Sequence, residues 1–335
     1  MRSDDELQAL ATIDPELKQL LQEGHIHLPP PWTQTTDLHA VRALLAQADS
    51  PSPLAGIVKE TDRCIATRDS SAIPVRVYGG GAERRRPAML MLHGGGFCVG
   101  GLEAGDRVCR VFAGRLGGVA VGVGFRLAPE FPFPTAVWDV VDALRWVANN
   151  TSNLGIDPTK GFLLAGESSG ADLALAAAQI WHTESAQPPV TGIYCSATSS
   201  ASRDTVPEKY QRGFVSMSQC AHAPVMTRES CEYITDIYKP HPTSPLAYAT
   251  AMSDSIVRGM PRTYFQACGL DPLRDCTLVL EEIWRDAGVS TRLDVYAGMP
   301  HVFWALGLPA SELGMVRRHE KDTEEGLKWL LGTLC

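Results

Sequence analysis

The sequence predicts an α/β fold in which a mostly parallel sheet is covered by helices on both faces, and two observations lead to this prediction. Short apolar, strand-like runs alternate with longer helix-like runs over most of the 335 residues, and strands that alternate with helices form parallel sheets. The first two strand-like runs, near 61–68 and 73–78, are separated only by a short turn, so we expect an antiparallel pair at one edge.

The predicted elements follow one another in a regular order. Residues 4–22 and 37–48 have the apolar spacing of two amphipathic helices, joined by a proline-rich connector at 29–32. Further strands are predicted at 88–92, 119–125, 162–165, 192–195, 262–268 and 291–296. Helices are predicted between and after them at 104–116, 135–149, 170–182, 276–287 and 319–334.

Composition and charge exclude several classes of protein. The net charge is −8, and no basic run is denser than residues 84–86, so we expect no nucleic-acid partner. No apolar run reaches 18 residues, which predicts no membrane span, and the start of the chain lacks the apolar core of a signal peptide. Nine cysteines without C-x-x-C spacing predict reduced thiols and a cytoplasmic protein.

The pentapeptide at 166–170 reads G-E-S-S-G and lies between an apolar run at 161–165 and a helix-like run at 171–181. A strand, a tight turn and a helix in this order present the central serine, Ser168, at the apex of the turn. The two outer glycines supply the space that such a strained turn requires. We therefore predict a nucleophilic serine rather than an ordinary glycine-flanked turn.

A second glycine-rich segment, H-G-G-G-F at 93–97, follows the strand-like run at 88–92. Acyl-transfer enzymes need backbone N–H groups that stabilise the oxyanion of the transition state, and glycines let a loop approach the substrate closely. Phosphate binding is the alternative, but the Lys-Ser/Thr of a P-loop and the G-x-G-x-x-G spacing are both missing. Because the segment precedes a serine turn, we predict an oxyanion loop.

Serine becomes a nucleophile only when a base accepts its proton and an acid orients that base. Asp271 follows the predicted strand 262–268, and His301 follows the last predicted strand, so both stand where α/β sheets carry their chemistry. The order serine, acid, histidine is that of the α/β hydrolases. Asp275 is the rival acid, but we expect it to start or cap the helix at 276–287.

Together these motifs resemble those of the hormone-sensitive-lipase-like family of α/β hydrolases, which contains many carboxylesterases, including fungal members that tailor secondary metabolites. The resemblance extends from about residue 88 to the C-terminus. It rests on six motifs: H-G-G-G-F at 93–97, F-R-L-A-P-E at 125–130, F-P-F-P at 131–134, G-E-S-S-G at 166–170, D-P-L-R-D at 271–275 and P-H-V-F at 300–303.

The resemblance implies an α/β-hydrolase fold with a helical cap and a role for each matching residue. It assigns the triad to Ser168, Asp271 and His301, the oxyanion hole to the N–H groups of Gly95, Gly96 and Ser169, and structural support to His93 and Gly94. The family more often has G-D-S-A-G-G around the serine and H-G-F after the base. This chain departs from those patterns at Glu167, Ser169, Ala171 and Val302, which leaves the shape of the pocket open.

One stretch interrupts the alternation of strands and helices, because residues 196–260 contain no clear strand. A structureless loop of that length is unusual in a compact domain, so we interpret the stretch as a helical insertion. We expect it to cover the site together with the N-terminal helices; a plain packing appendage is the alternative. The predicted division is a single domain over 1–335, with N-terminal cap helices at 1–50, a catalytic core at 51–195 and 261–335, and a cap insertion at 196–260.

We therefore expect a serine carboxylesterase that hydrolyses small to medium ester substrates through an acyl-serine intermediate, with no metal or organic cofactor. A lactonase or an acyltransferase of secondary metabolism is the alternative, because it would use the same triad. The family also includes a plant hormone receptor that has lost the catalytic histidine, and the presence of His301 argues against such a receptor here. Small-molecule esters are the expected partners, and a homodimer is left open.

Overall fold

The computed structural model describes residues 2–45, 54–81, 85–306, 308 and 313–333. The strands in these ranges form an eight-stranded sheet with the order β1-β2-β4-β3-β5-β6-β7-β8. Their bounds are Glu60–Ala66 (β1), Ala72–Tyr78 (β2), Ala88–Leu92 (β3), Val119–Val123 (β4), Phe162–Glu167 (β5), Gly192–Ser196 (β6), Arg262–Leu270 (β7) and Thr291–Pro300 (β8). The pairs β1–β2 and β2–β4 are antiparallel, and all other neighbours are parallel. The predicted sheet, mostly parallel with an antiparallel edge, is confirmed.

The helices are numbered in chain order. Three precede the sheet: Asp4–Ala11 (α1), Pro15–Gln22 (α2) and Leu38–Leu45 (α3). Helices that alternate with strands are Asp106–Gly114 (α4), Thr135–Asn149 (α5), Thr151–Leu154 (α6), Ser169–Thr183 (α7), Arg274–Asp286 (α12) and Gly314–Leu330 (α13). The insertion at 196–260 lies entirely within the described residues. It contains Glu208–Gln211 (α8), Ser216–Gln219 (α9), Arg228–Tyr238 (α10) and Asp254–Arg258 (α11).

The N-terminal region differs from the prediction, because residues 4–22 form two helices instead of one. The chain breaks at Asp14, whose side chain accepts hydrogen bonds from the N–H groups of Glu16 and Leu17. Pro15 occupies the first position of α2, where its missing N–H costs nothing. The Asp-Pro pair was therefore the signal for the break. Residues 46–48 of the predicted second helix, and the predicted boundary at 50/51, lie outside the described residues.

The sheet has two buried faces, which explains why its central strands are apolar throughout. On β3, Leu90 and Leu92 face the core formed with α5 and α7. The alternate residues, Met89 and Met91, face a second core formed with α4 and α13. A strand that is buried on both sides has no polar face, so its sequence lacks the polar–apolar alternation of a half-exposed strand.

The register of the strands brings the sequence motifs to one edge of the sheet. Leu92 on β3 pairs with Gly166 on β5, and Leu270 on β7 pairs with Pro300 on β8. The glycine loop, Ser168, Asp271 and His301 all follow directly after these paired positions. Parallel pairing therefore gathers the candidate residues at the carboxyl ends of the strands.

Helices α1 and α2 pack against the end of the sheet that is formed by β7 and β8. Leu7 is buried with residues of β7 and α12, and Leu17 is fully buried in a cluster that includes Tyr296. Backbone contacts reinforce this packing, because the N–H of Asp14 donates to the carbonyl of Gly298 over 3.1 Å. None of the helices in the described residues is both long enough and apolar enough to cross a membrane.

Candidate active site

Ser168 occupies a sharp turn between β5 and α7. Its backbone has φ 52° and ψ −125°, a conformation that non-glycine residues rarely adopt. A Cβ atom at Gly166 would lie 2.1 Å from the carbonyl oxygen of Gly170, and a Cβ at Gly170 would lie 2.1 Å from that of Leu92. Both outer glycines of the pentapeptide are thus required by the close approach of β5, α7 and β3.

Three side chains form a continuous chain of hydrogen bonds at this edge of the sheet. The Oγ atom of Ser168 is 2.8 Å from Nε2 of His301, and Nδ1 of His301 is 2.7 Å from Oδ2 of Asp271. All three residues are buried. A ring that donates from Nδ1 to the carboxylate carries its free lone pair on Nε2, so the ring can accept the serine proton.

The two rival aspartates have separate partners. Asp271 uses its second oxygen to accept a 2.8 Å bond from the N–H of Leu273. Asp275 is fully buried and pairs with Arg274. Its carboxylate also accepts bonds from the N–H groups of Val215 and Ser216 at 2.7 and 2.6 Å.

Asp275 lies in the first turn of its helix, as predicted, but the predicted capping role is wrong. Helix α12 begins at Arg274 after Leu273, and no side chain caps it. Asp275 instead binds the backbone at the start of α9, in the insertion. The reason is tertiary, since the acceptor and its donors are about 60 residues apart in sequence.

The glycine loop lies directly beside the serine. A Cβ atom at Gly94 would be 3.3 Å from Cβ of Ser168. Gly95 and Gly96 have φ values of 126° and 59°, and a Cβ at Gly95 would clash with the carbonyl oxygen of Val99 at 2.2 Å. Among the hydrogen bonds of the described residues, none uses the N–H groups of Gly95, Gly96 or Ser169, so all three can donate to a ligand.

His93 holds the glycine loop from behind. Its Nδ1 atom is 2.7 Å from the carbonyl oxygen of Gly94, and its ring stacks on Phe125 with centroids 4.3 Å apart. Burial lowers the pKa of His93 to about 4, so the ring is neutral at pH 7 and donates from Nδ1. A side chain at Gly100 would collide with this ring at 2.4 Å, which explains the glycine there.

Sequence analysis did not single out Asp172, which lies one helical turn after Ser168. Its carboxyl group accepts hydrogen bonds from the hydroxyls of Thr198 and Ser199 and from the N–H of Ser199. Burial raises the pKa of Asp172 to about 7. These bonds attach the start of the insertion to α7. The sequence did contain a signal for this residue. Asp172 is four positions after Ser168, and residues four apart lie on the same face of a helix, so its side chain could have been expected near the serine.

Two apolar side chains lie against Gly96, and we call Trp32 and Ile234 the wall residues. A Cβ atom at Gly96 would be 2.9 Å from Cδ1 of Ile234 and 3.3 Å from Cζ3 of Trp32. Trp32 comes from the proline-rich connector, and Ile234 comes from α10 in the insertion. The two segments are joined, since the hydroxyl of Ser230 donates to the carbonyl of Trp32 over 2.8 Å. The wall beside the glycine loop is thus shared between two parts of the chain.

The described residues contain no group of three or more histidine, cysteine or acidic side chains that could hold a metal ion. On the surface, Nδ1 of His25 lies 3.3 Å from a carboxylate oxygen of Glu23. The eight cysteines in the described ranges are all unpaired.

Comparison with known proteins agrees with the fold. Residues 89–305 match the family model for the alpha/beta hydrolase fold. The chain is 30% identical over 303 residues to versiconal hemiacetal acetate esterase of Dothistroma septosporum, and the aligned region covers 89% of each chain. It is 32% identical over 308 residues to the carboxylesterase NlhH of Mycobacterium tuberculosis, covering 89% of this chain and 92% of the relative.

Solved structures give the same result. The crystal structure of vibralactone cyclase superposes with a TM-score of 0.86 at 27% identity, covering 97% of this chain and 96% of the cyclase. The family match spans more than half of the chain, and the relatives extend it towards both ends. The chain therefore belongs to the α/β-hydrolase fold family, and its resemblance to the hormone-sensitive-lipase-like carboxylesterases is confirmed.

Proposed function

We propose that this protein is a serine carboxylesterase in which Ser168 is the nucleophile, His301 the general base and Asp271 the acid that orients the base. The single observation that carries this proposal is the unbroken hydrogen-bonded chain from Ser168 through His301 to Asp271. The names of the fungal and mycobacterial relatives, an esterase and a carboxylesterase, support an ester as the substrate.

The reaction would proceed in two halves. In the first, Ser168 attacks the ester carbonyl carbon while Nε2 of His301 accepts the hydroxyl proton. The N–H groups of Gly95, Gly96 and Ser169 would donate to the resulting oxyanion. His301 then protonates the departing alcohol, which leaves an acyl-serine. In the second half, His301 activates water, which attacks the acyl group and releases the acid and the free serine.

A second candidate is transfer of the acyl group from Ser168 to a hydroxyl group of the substrate itself, which would close a lactone and free the serine. Attack of Ser168 on a lactone, followed by water, would instead open one. The likeness to vibralactone cyclase favours this candidate, and the same triad would serve both reactions. The acceptor distinguishes them, because hydrolysis requires water at the acyl-serine whereas cyclisation requires its exclusion. An enzyme that tailors secondary metabolites by either route fits the fungal esterase relative.

We further propose that the N-terminal helices and the insertion at 196–260 form a cap over this site. The contacts of Trp32 and Ile234 with Gly96 support the proposal. The eight unpaired cysteines in the described ranges support a reducing compartment, such as the cytoplasm. A homodimer stays a prediction, and the mass measured by light scattering would test it.

The decisive experiment compares the protein with its Ser168→Ala variant on aryl acetates, on aliphatic esters and on γ- and δ-lactones. We expect hydrolysis by the unaltered protein and a loss of about 10⁶-fold in kcat in the variant. A phosphonate ester should label Ser168 in the unaltered protein alone. A folded variant that kept a tenth of the turnover would rule out Ser168 as the nucleophile. Product analysis decides between free acid and lactone.

A further inference from the structure

A second hydrogen bond, besides that between Ser168 and His301, connects the serine turn with the loop that carries the histidine. Nε1 of Trp304 donates to Oε1 of Glu167 over 2.9 Å. Glu167 immediately precedes Ser168, and Trp304 follows His301 by three residues. Both side chains are buried, so this bond is shielded from competition with water.

Both ends of this bond adjoin strained backbone. Ser168 has φ 52°, and Val302, which directly follows His301, has φ 44° and ψ 40°. A β-branched residue such as valine is a rare occupant of the left-handed region. Strained conformations of this kind persist only where the surrounding contacts hold them. The Glu167–Trp304 bond is one such contact, and it joins the two strained segments to each other.

The indole of Trp304 is itself held in place by other parts of the fold. Its ring stacks on His319 of α13, with centroids 4.0 Å apart and planes 4° from parallel. Burial lowers the pKa of His319 well below its ordinary value, so the ring is neutral. Its Nε2 atom lies 3.1 Å from Oε1 of Gln266, on the strand that leads to Asp271. The bond is therefore linked through His319 to β7, the strand that precedes Asp271.

We propose that Glu167 and Trp304 are positioning residues that keep the His301 loop at bonding distance from Ser168. The proposal rests on the proposed function, since it concerns the same site. Neither side chain belongs to the hydrogen-bonded chain from Ser168 to Asp271, so their effect on the reaction would pass through His301. Burial raises the pKa of Glu167, and the charge of Arg107 opposes that rise. The indole bond itself needs only a carboxyl oxygen as acceptor, so it does not depend on the ionisation of Glu167.

The first test removes the donor while keeping an aromatic ring. Trp304→Phe should lower kcat by about 10- to 100-fold and leave KM nearly unchanged, because a small misplacement of a catalytic group has effects of this size. Trp284→Phe is the matched control. Trp284 is fully buried, and its indole nitrogen has no hydrogen-bond partner among the described residues. Rates are expressed per active site, as titrated by the phosphonate, so that unfolded protein does not contribute.

The second test changes the acceptor. Glu167→Gln keeps a carbonyl oxygen that can accept from the indole, so kcat should remain within about threefold of the unaltered protein. Glu167→Leu removes the acceptor and should lower kcat as much as Trp304→Phe does. The double variant Glu167→Leu/Trp304→Phe should lose little more than either single variant, because both remove the same interaction.

Three outcomes would overturn the positioning role. The first is equal kcat per active site in Trp304→Phe and Trp284→Phe, and the second is a change confined to KM. The third is a loss of activity in Glu167→Gln as large as that in Glu167→Leu. The proposed esterase function fails separately, if the unaltered protein hydrolyses no ester or if Ser168→Ala stays active.

Discussion

At the residue scale, the candidate site depends on which carboxylate faces the histidine. Asp271→Asn should reduce kcat by about 10⁴-fold, as the corresponding change does in serine proteases, because the amide no longer supports the correct tautomer of His301. Asp275→Asn should keep most of the turnover but lower the free energy of unfolding by about 3 kcal/mol, since it leaves Arg274 buried without its charge partner. Ester hydrolysis and urea unfolding measure the two effects, and the opposite ranking would reverse our assignment.

Asp172 leads to a prediction about pH and stability. In the folded protein its pKa is raised to about 7, whereas an unfolded aspartate ionises near pH 4. Its protonated form therefore stabilises the fold below about pH 4, and this contribution is lost as the pH rises through 7. Between pH 4 and 7, the free energy of unfolding of the unaltered protein should fall by about 1 to 4 kcal/mol more than that of Asp172→Asn, which has no carboxyl group to ionise.

Urea unfolding at several pH values measures this difference. Asp254→Asn is the control, because the side chain of Asp254 is 91% exposed. A difference between the unaltered protein and Asp172→Asn that stays constant from pH 4 to 7 would contradict the prediction.

At the scale of elements, the connector and α10 together limit the space beside the glycine loop. Ile234→Ala should enlarge that space and raise kcat/KM for bulky acyl esters relative to acetate, by about tenfold for a group that fills the space. Ile237→Ala, on the same helix, should leave the ratio unchanged, because no atom of Ile237 is among the three nearest to a Cβ at Gly96. The measurement is kcat/KM for a series of aryl esters, and equal ratios in the two variants would show that the wall residues do not contact the substrate.

At the scale of the whole molecule, the first 22 residues contribute to the fold as well as to any cap. Sequence analysis predicts a cap role for residues 1–50, but α1 and α2 pack on β7, β8 and α12. In addition, the buried guanidinium of Arg274 donates to the carbonyl of Leu7 over 3.0 Å. Removing residues 1–24 should therefore lower the urea midpoint sharply or make the protein aggregate.

Trp32→Ala is the control for this truncation and should alter substrate preference with a much smaller change in the urea midpoint, because Trp32 is only partly buried. A truncated protein that unfolds at the midpoint of the full chain would show that α1 and α2 are dispensable for the fold.

Local sequence patterns were sufficient to predict the α/β class, the order of the strands along the chain, the serine turn, the glycine loop and the two strand ends that carry Asp271 and His301. These features follow from local rules: strand and helix periodicity, the glycines that tight turns need, and the position of residues just after a strand. The same rules also predict a helix break at Asp14-Pro15, in place of the single helix expected over 4–22.

Contacts between residues that are distant in sequence became visible only in the folded chain. Asp275 binds the insertion instead of capping its own helix, and Glu167 accepts a bond from Trp304, 137 positions away. Trp32 and Ile234 come together on Gly96 although they are 202 positions apart in sequence (234 − 32). No local pattern encodes such contacts, because they depend on the register of the sheet and on how the connector and the insertion pack against it. The residues that meet at the candidate site could therefore be predicted from the sequence, whereas the shape of its pocket depends on long-range packing.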